Sequence, residues 1–346
     1  MTAHRSPAPN PVAMPRRRLA PGLEVGLIGF GGAPLGDLYA ALDEREAQET
    51  VGAALAAGVN LIDTSPLYGH GLSEHRIGAA LRQVQRDDVV LSTKVGRWMN
   101  PMAFPGTRSG YAGGLPHGAV IDYSYDGAMR SFEQSLLRLG TDQIDVLLIH
   151  DVDLWTHGGE MERRFAEAMD GAYRALDRLR SAGAVKAIGV GVNEAEMCER
   201  FAEAGDFDVM MLAGRYTLLE QGALDRFLPL AAQKQIGVML AGVFNSGILA
   251  QGPAAGSHYN YRAAPPDMLA RVRAIEDVCQ AHGVGLRQAA LAFAAAHPAV
   301  ATLVLGAVRP NEIRDNVAAI ALPVPASLWS DLKGSGLIAA HAPTPG

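Results

Sequence analysis

Short apolar runs rich in β-branched residues alternate with longer amphipathic segments from about residue 25 onward. Apolar runs bounded by turn residues are typical of buried strands, whereas apolar residues at helical spacing predict helices. The predicted strands are 25–30, 59–63, 89–94, 144–149, 185–190, 208–212, 236–241 and 301–305. The predicted helices lie near 44–57, 73–84, 125–139, 161–182, 194–204, 222–234, 266–282 and 310–320, with an extra helix at roughly 285–296.

This regular alternation predicts an α/β fold of the (β/α)8 barrel type. Eight strand-then-helix units in one uninterrupted run fit such a barrel better than a doubly wound sheet. A doubly wound dinucleotide fold needs Gly-x-Gly-x-x-Gly after its first strand. The chain has Gly29-Phe30-Gly31-Gly32-Ala33-Pro34 there, and Pro34 obstructs the start of the required helix.

We expect a single barrel domain over residues 21–330, with long loops at the C-terminal face of its strands. Residues 1–20 are rich in Pro, Ala and Arg, and this composition predicts a disordered leader in which Arg16-Arg17-Arg18 is a solvated charge run. Residues 331–346 are predicted to be a C-terminal tail.

Three of the predicted strands, neighbours in such a barrel, end in an ionisable side chain: Asp63, Lys94 and His150. Active sites of these barrels lie at the C-terminal ends of the strands. We therefore expect the three side chains to converge there although they are far apart in sequence. Tyr68 lies on the Pro/Gly-rich loop after Asp63 and can fold back over them.

These four side chains can catalyse the proton transfer that accompanies the interconversion of a carbonyl group and an alcohol. A tyrosine has a reference pKa of about 10, and a nearby ammonium favours its ionised form. Asp63 would hold Lys94 in place, and a neutral His150 would orient the reacting oxygen. None of the four can carry a hydride, so the chemistry requires a hydride carrier. Taken singly, Asp63 could be a turn residue and His150 a structural histidine.

Composition narrows the classes of partner. The formal net charge is −6, which argues against a nucleic-acid footprint. No apolar run approaches the ~18 residues that a membrane span needs. Two cysteines are too few for a disulfide framework, so we expect a cytoplasmic protein. No histidine or acidic cluster has the spacing of metal ligands, so we expect no metal. Composition leaves the oligomeric state open.

The block Asp63-Thr64-Ser65-Pro66-Leu67-Tyr68-Gly69, followed by Ser73-Glu74, resembles the signature of the aldo-keto reductase superfamily. The resemblance extends from Gly26 to Asn316. Lys94 and His150 match that family's catalytic lysine and histidine. The resemblance implies that Tyr68 is the general acid/base, Lys94 its modulator, Asp63 the anchor of the lysine, and His150 the group that orients the substrate.

The resemblance also implies an extended nicotinamide dinucleotide at the barrel rim. The positions that match the family's cofactor contacts are Gly31, Gly32, Asn193, Tyr216, Phe244, Asn245, Ser246, Gly247, Leu249, Gly306, Arg309, Glu312 and Asn316. NADP-preferring relatives tend to carry a basic residue where this chain has Glu312. A carboxylate there repels a 2′-phosphate and accepts a hydrogen bond from a free 2′-hydroxyl, so we expect NAD as the cofactor. NADP is the alternative, because Arg309 can neutralise a 2′-phosphate.

The long segment after Lys94 is predicted to line the substrate site, with Arg97, Trp98 and Asp122 as candidate contacts. The segments 122–127, 150–153 and 189–194 resemble the bacterial branch that includes L-fucose dehydrogenase, D-threo-aldose 1-dehydrogenase and pyridoxal 4-dehydrogenase. The resemblance implies oxidation of C1 of an aldose to an aldonolactone. Alternatives are a pyridoxal 4-dehydrogenase, a general aldehyde reductase and, in another class, a non-catalytic nicotinamide-binding barrel. The intact set of four argues against the last.

Overall fold

The computed structural model describes residues 14–102, 110–254, 256–260 and 262–346. Its strands are β1 (Arg16–Ala20), β2 (Leu23–Gly26), β3 (Ile28–Gly31), β4 (Leu61–Asp63), β5 (Val90–Val95), β6 (Arg97–Asn100), β7 (Gly118–Ile121), β8 (Val146–His150), β9 (Ala187–Val192), β10 (Val209–Ala213), β11 (Gly237–Ala241), β12 (His258–Tyr259), β13 (Arg262–Ala263) and β14 (Val300–Gly306).

Its α-helices are α1 (Glu44–Ala56), α2 (Leu72–Leu81), α3 (Tyr125–Leu139), α4 (Leu154–His157), α5 (Met161–Glu167), α6 (Arg174–Ser181), α7 (Ala195–Ala204), α8 (Phe227–Lys234), α9 (Ile248–Gln251), α10 (Pro266–Ala281), α11 (Leu286–Ala295), α12 (Pro310–Ile320) and α13 (Ala326–Gly334).

Eight parallel strands close into a barrel, so the predicted (β/α)8 fold is confirmed. Their order around the barrel is β3-β4-β5-β8-β9-β10-β11-β14. Every residue of β5, β8 and β9 is buried, as expected for parallel strands covered by helices outside and filled by side chains inside. The C-terminal ends of the strands therefore form one rim that can carry a site.

An antiparallel hairpin of β1 and β2 closes the N-terminal end of the barrel. Leu19 and Leu23 are buried in the same apolar cluster as the residues inside the barrel. Arg17 donates to the carbonyl oxygens of Ala295 and Val300 at 2.8 and 2.7 Å. The prediction of a disordered leader is therefore wrong for residues 14–20, because Leu19 and Ala20 are buried against the barrel core, although Arg16 and Arg18 are exposed as predicted. Residues 1–13 lie outside the described residues.

Two other predicted boundaries also differ from the structure. The predicted strand 25–30 is divided, because β2 ends the hairpin at Gly26 and β3 begins the barrel at Ile28. The predicted tail from residue 331 begins inside α13, and Ile338 and Ala342 beyond it are buried in the main core. Both differences arise from packing against the barrel, which no local pattern reports.

The predicted helix 161–182 contains a π-helical stretch over Ala168–Tyr173, between α5 and α6. There the Ala172 N–H donates to the Tyr123 carbonyl oxygen at 2.8 Å. A Cβ on Gly171 would lie 2.5 Å from that same oxygen. The wider π-helical turn and the lack of a side chain at Gly171 let this helix approach the segment around Tyr123, which precedes α3. That segment forms one wall of the site described below.

The packing of the β1–β2 hairpin against the N-terminal end of the barrel gives a prediction about stability. A Cβ on Gly237 would clash with the backbone carbonyl of Leu19. We expect Gly237→Ala to lower the free energy of unfolding by about 1–3 kcal/mol, since the hairpin must shift to admit the methyl group.

Urea unfolding of the purified chain measures this change. Gly52→Ala is the matched control, because Gly52 lies within α1 and nothing lies within 4 Å of its added Cβ. We expect the control to gain about 0.5–1 kcal/mol from helix propensity. Equal stability of the two variants would show that the hairpin does not press on β11.

Candidate active site

The ends of β4, β5 and β8 bring Asp63, Lys94 and His150 to one rim, as predicted. The Lys94 ammonium donates to Asp63 Oδ2 at 2.6 Å and to the Thr64 carbonyl oxygen at 2.7 Å. The Ser92 hydroxyl donates to the other carboxylate oxygen of Asp63 at 2.8 Å. The side chains of the ion pair are 1% and 3% exposed. The lysine is therefore fixed in position by buried partners.

Tyr68 opens a short 3-10 turn after β4 and lies against the other members of the set. The Lys94 Nζ atom is 4.8 Å from the centroid of its ring. The ring centroids of Tyr68 and His150 are 5.9 Å apart in an edge-to-face arrangement. The next residue, Gly69, has φ of 62° and lies so close to Gly36 that neither position has room for a Cβ. This close approach holds the turn that carries Tyr68 against the loop after β3.

His150 is a neutral imidazole at pH 7. Burial, the Arg97 guanidinium and the Lys94 ammonium together place its pKa well below the usual value. Its Nδ1 atom is 3.1 Å from the Ser65 hydroxyl, which accepts from the Leu67 N–H at 3.1 Å. In the tautomer with its proton on Nε2, Nδ1 accepts from the Ser65 hydroxyl and Nε2 faces the Asp151 Oδ2 acceptor at 3.5 Å. His150 can therefore donate from Nε2 to a substrate oxygen.

Asp63 is held in its ionised form by its partners. Burial raises the pKa of its carboxyl group, and the Lys94 ammonium and the Ser92 hydroxyl oppose that rise. The Asp63 carboxylate and the Lys94 ammonium are 2.6 Å apart, and their charges neutralise each other in a site shielded from solvent. The set thus offers a fixed positive charge beside a phenol and a neutral hydrogen-bond donor.

A second charged pair adjoins His150. Arg97 Nη1 donates to Asp151 Oδ2 at 3.0 Å, and His150 Nε2 is 3.5 Å from the same oxygen. The Tyr123 hydroxyl donates to the His150 carbonyl oxygen at 2.8 Å. Ser65 and Asp151 were not among the predicted site residues. The available signal was their position, because each lies one or two residues after the end of a strand that carries a predicted catalytic residue.

The predicted substrate residues separate in the structure. Arg97 lies beside His150 through Asp151, whereas Trp98 and Asp122 contact each other and the start of α3. Trp98 Nε1 donates to Asp122 Oδ2 at 3.3 Å. The Asp122 carboxylate accepts from the backbone and hydroxyl of Ser124, the residue that caps α3. These contacts give Trp98 and Asp122 a role in placing the β6–β7 hairpin on α3.

Most predicted cofactor residues lie at or after the C-terminal ends of β3, β9, β11 and β14, on the rim that carries the four catalytic residues. These residues are Gly31, Gly32, Asn193, Phe244, Asn245, Ser246, Gly247, Leu249, Gly306, Arg309, Glu312 and Asn316.

Several of them have geometry that suits a dinucleotide. Three consecutive residues, Asn245, Ser246 and Gly247, have φ of 45°, 61° and 97°, so the loop after β11 turns tightly at the rim. The N-terminus of α12 opens on the same rim, where its dipole favours a phosphate. The residues present therefore fit a nicotinamide dinucleotide.

Tyr216 is buried away from these residues, and its expected place near the nicotinamide stays a prediction. Its ring is 1% exposed and packs against Phe293 and His297, with ring centroids 5.3 and 5.9 Å away. The turn after β10 directs this side chain under α11, because an aromatic ring gains more from the core there than from the rim.

None of the helices in the described part of the chain is long and apolar enough to cross a membrane. Among those same residues, no group of three or more His, Cys, Asp or Glu is arranged to hold a metal ion.

The barrel and the Asp63, Tyr68, Lys94 and His150 set are those of an aldo-keto reductase. Residues 27–335 match the model of the aldo/keto reductase family, and the chain belongs to that family. It is 40% identical over 328 residues to a pyridoxal 4-dehydrogenase from Microbacterium luteolum, covering 92% of this chain and 96% of that protein. It is 38% identical over 332 residues to a D-threo-aldose 1-dehydrogenase from a Pseudomonas species, covering 94% and 97%.

The fold is likewise similar to a solved structure. The holo form of an aldo-keto reductase from Bacillus halodurans superposes with a TM-score of 0.72 at 25% identity, covering 93% of this chain and 96% of that one. The family and branch suggested by the sequence motifs are thereby confirmed. The matches span nearly the whole chain.

The neutral His150 gives a pH prediction. Its pKa in the folded state is lowered well below 6.5, so the unfolded state binds the extra proton first as the pH falls. Its contribution to stability is present above pH 6.5 and is lost progressively below that value, at up to about 1.4 kcal/mol per pH unit. We expect His150→Gln to lose less stability than the wild type between pH 7 and pH 5.5.

Midpoints of urea unfolding at the two pH values measure the difference. His282→Gln is the control, because His282 is outside the site and lies beside Asp331 on the protein surface. An identical loss of stability in the wild type and His150→Gln would show that His150 takes up its proton without penalty in the fold.

Proposed function

We propose that the protein is an NAD(P)-dependent oxidoreductase that uses Tyr68 as the general acid/base in interconverting an alcohol and a carbonyl group. The observation that carries the proposal is the Lys94 ammonium, held by buried Asp63 and 4.8 Å from the centroid of the Tyr68 ring. A fixed positive charge beside a phenol stabilises the phenolate, which is the form that accepts a proton from an alcohol.

Each protein group has a defined part in this reaction. Tyr68 takes the proton from the substrate hydroxyl while His150 donates from Nε2 to the same oxygen and orients it. Asp63 keeps Lys94 against Tyr68. A bound nicotinamide would accept the hydride that leaves the carbon being oxidised. The loop Phe244–Leu249 after β11 would wrap its pyrophosphate, the start of α12 would hold its adenosine end, and Asn193 would hydrogen-bond its carboxamide.

The substrate we propose is an aldose oxidised at C1 to the aldonolactone, in the manner of L-fucose or D-threo-aldose dehydrogenases. The 38% identity to a D-threo-aldose 1-dehydrogenase supports this substrate class. The 40% identity to a pyridoxal 4-dehydrogenase supports a second candidate, oxidation of pyridoxal, whose cyclic hemiacetal presents a comparable hydroxyl. Both reactions use the same proton path through Tyr68. A cytoplasmic location remains a prediction.

NAD is the cofactor that the charges favour. The Glu312 carboxylate accepts from the Val308 N–H at 2.9 Å, at the start of α12. Arg309 Nε is 3.7 Å from Glu46 Oε1, so two carboxylates accompany one guanidinium at this end of the rim. A 2′-phosphate would meet net negative charge, whereas a free 2′-hydroxyl can donate to a carboxylate. NADP remains the second candidate because Arg309 is exposed.

Initial rates of NAD and NADP reduction with L-fucose, D-arabinose, L-galactose, D-glucose and pyridoxal test the proposal. We expect turnover of a sugar that shares the fucose configuration, faster with NAD than with NADP. Activity on pyridoxal alone would favour the second candidate. Tight binding of the nicotinamide with no turnover of any of the five would overturn the proposal in favour of a non-catalytic barrel.

Tyr68→Phe is the variant that tests the mechanism. Removing the hydroxyl should lower kcat by roughly 100- to 10,000-fold with little change in the Kd of the cofactor, since the proton path is lost and the dinucleotide contacts remain. Tyr125→Phe, a matched loss of one hydroxyl on α3, should retain normal rates. Near-normal turnover by Tyr68→Phe would exclude Tyr68 as the acid/base.

Glu312→Arg is the variant that tests cofactor choice. Replacing a carboxylate by a guanidinium should raise kcat/KM with NADP relative to NAD by roughly 10- to 100-fold, because a charge-assisted bond to the 2′-phosphate replaces a repulsion. Glu196→Arg makes the same charge change on the exposed face of α7 and should leave the ratio unaltered. A ratio that stays constant in Glu312→Arg would place the 2′-position away from α12.

A further inference from the structure

Asp151 is a carboxylate at the wall of the site that the proposed proton path does not use. Its Oδ2 atom is 3.0 Å from Arg97 Nη1 and 3.5 Å from His150 Nε2. The Asp151 side chain is 17% exposed, whereas those of Arg97 and His150 are 7% exposed. The carboxylate is thus nearly enclosed by protein, yet it retains an accessible surface beside the nitrogen that orients the substrate.

The backbone holds Asp151 in an unusual conformation. Its φ is +52°, in the left-handed region that residues other than glycine, asparagine and aspartate seldom adopt. Its N–H donates to the Gly191 carbonyl oxygen at 2.8 Å, which ties it to the end of β9. The Tyr123 hydroxyl lies 3.3 Å from the Asp151 carbonyl oxygen and supports it from the other side. These contacts fix the direction of a side chain that follows a catalytic residue.

The position of the carboxylate limits what can bind there. A substrate oxygen that accepts from His150 Nε2 lies about 3 Å from that nitrogen. Asp151 Oδ2 lies 3.5 Å from the same nitrogen, so it is at most about 6.5 Å from that substrate oxygen, within reach of a hydroxyl on the adjacent carbon. A group that only accepts hydrogen bonds would be repelled there. A hydroxyl can donate to the carboxylate, and an ionised carboxylate has several lone-pair sites free for such donors.

We propose that Asp151, oriented by Arg97, binds the hydroxyl group on the carbon next to the reacting carbon. It thereby selects 2-hydroxyaldehydes and their cyclic hemiacetals over aldehydes without that hydroxyl. This inference rests on the proposed oxidoreductase function and narrows its substrate class. Arg97 supplies two things: it neutralises the buried carboxylate, and its planar guanidinium fixes the carboxylate's orientation.

The test compares two small aldehydes that differ by one hydroxyl group. The full chain reduces 2-hydroxypropanal or propanal with NADH and, in parallel, NADPH, and kcat/KM is measured for each. Asp151→Asn keeps the size of the side chain and tolerates the left-handed backbone. We expect the ratio of kcat/KM for 2-hydroxypropanal to that for propanal to fall roughly 10- to 100-fold in this variant, with propanal changed less than about threefold.

Two further variants separate substrate binding from a structural role. Asp142→Asn makes the same charge change at an exposed position before β8, on the opposite end of the barrel, and should keep the wild-type ratio. Arg97→Gln combined with Asp151→Asn removes both charges. If Asp151 only compensates Arg97, the double variant recovers the wild-type ratio, which would overturn the inference. If Asp151 binds the hydroxyl, the ratio stays low.

The outcomes also distinguish this inference from the proposed function on which it rests. A wild-type protein that reduces both aldehydes while Asp151→Asn keeps the wild-type ratio would overturn the inference alone. An equal fall of kcat/KM for both aldehydes in Asp151→Asn would also overturn it, in favour of a structural role. A wild-type protein inactive on both aldehydes with both cofactors, and on the five substrates above, would overturn the proposed function and this inference together.

Discussion

The buried ion pair between Lys94 and Asp63 is the interaction on which the rest of the site depends. Burying two charges costs several kcal/mol per ion unless their geometry and hydrogen bonds compensate for the lost water. Here the compensation comes from the Thr64 carbonyl oxygen and the Ser92 hydroxyl, both within 2.8 Å. Loss of either partner would leave one charge unpaired in the barrel. The pair therefore constrains β4 and β5 to one register and sets where Tyr68 can lie.

Neutral polar groups extend this constraint to the neighbouring strand and helix. The Ser73 hydroxyl donates to the Gly32 carbonyl oxygen at 2.8 Å, and the Thr64 hydroxyl is 2.9 Å from Ser73. Gly32 has no room for a side chain, because a Cβ would lie 2.7 Å from the Ser73 hydroxyl. The loop after β3 is thus fixed against α2 by the same segment that carries Asp63. Ser73 and Thr64, which belong to the family signature, have a structural reason to be there.

Charges around His150 show how one residue is kept neutral among ionised neighbours. Burial, Arg97 and Lys94 all lower the pKa of His150, while Asp151 pairs with Arg97 instead of stabilising an imidazolium. The result is a donor at Nε2 next to an acceptor at Asp151, two complementary groups for a substrate with adjacent oxygens. Tyr123 supports both residues by holding their backbone, and the π-helical stretch of Ala168–Tyr173 in turn holds Tyr123.

The sequence by itself determined the barrel and the convergence of Asp63, Lys94 and His150. Burial of parallel strands on both faces leaves near-continuous apolar runs in the sequence, and the ends of the strands share one rim. Only the tertiary structure decided that the segment Arg16–Ala20 closes the barrel, that Tyr216 turns into the core, and that Asp151 stands beside His150. All three outcomes depend on contacts between residues distant in sequence, and the last depends also on the left-handed φ of Asp151. Neither leaves a local pattern, because packing chooses among conformations that the local sequence permits equally.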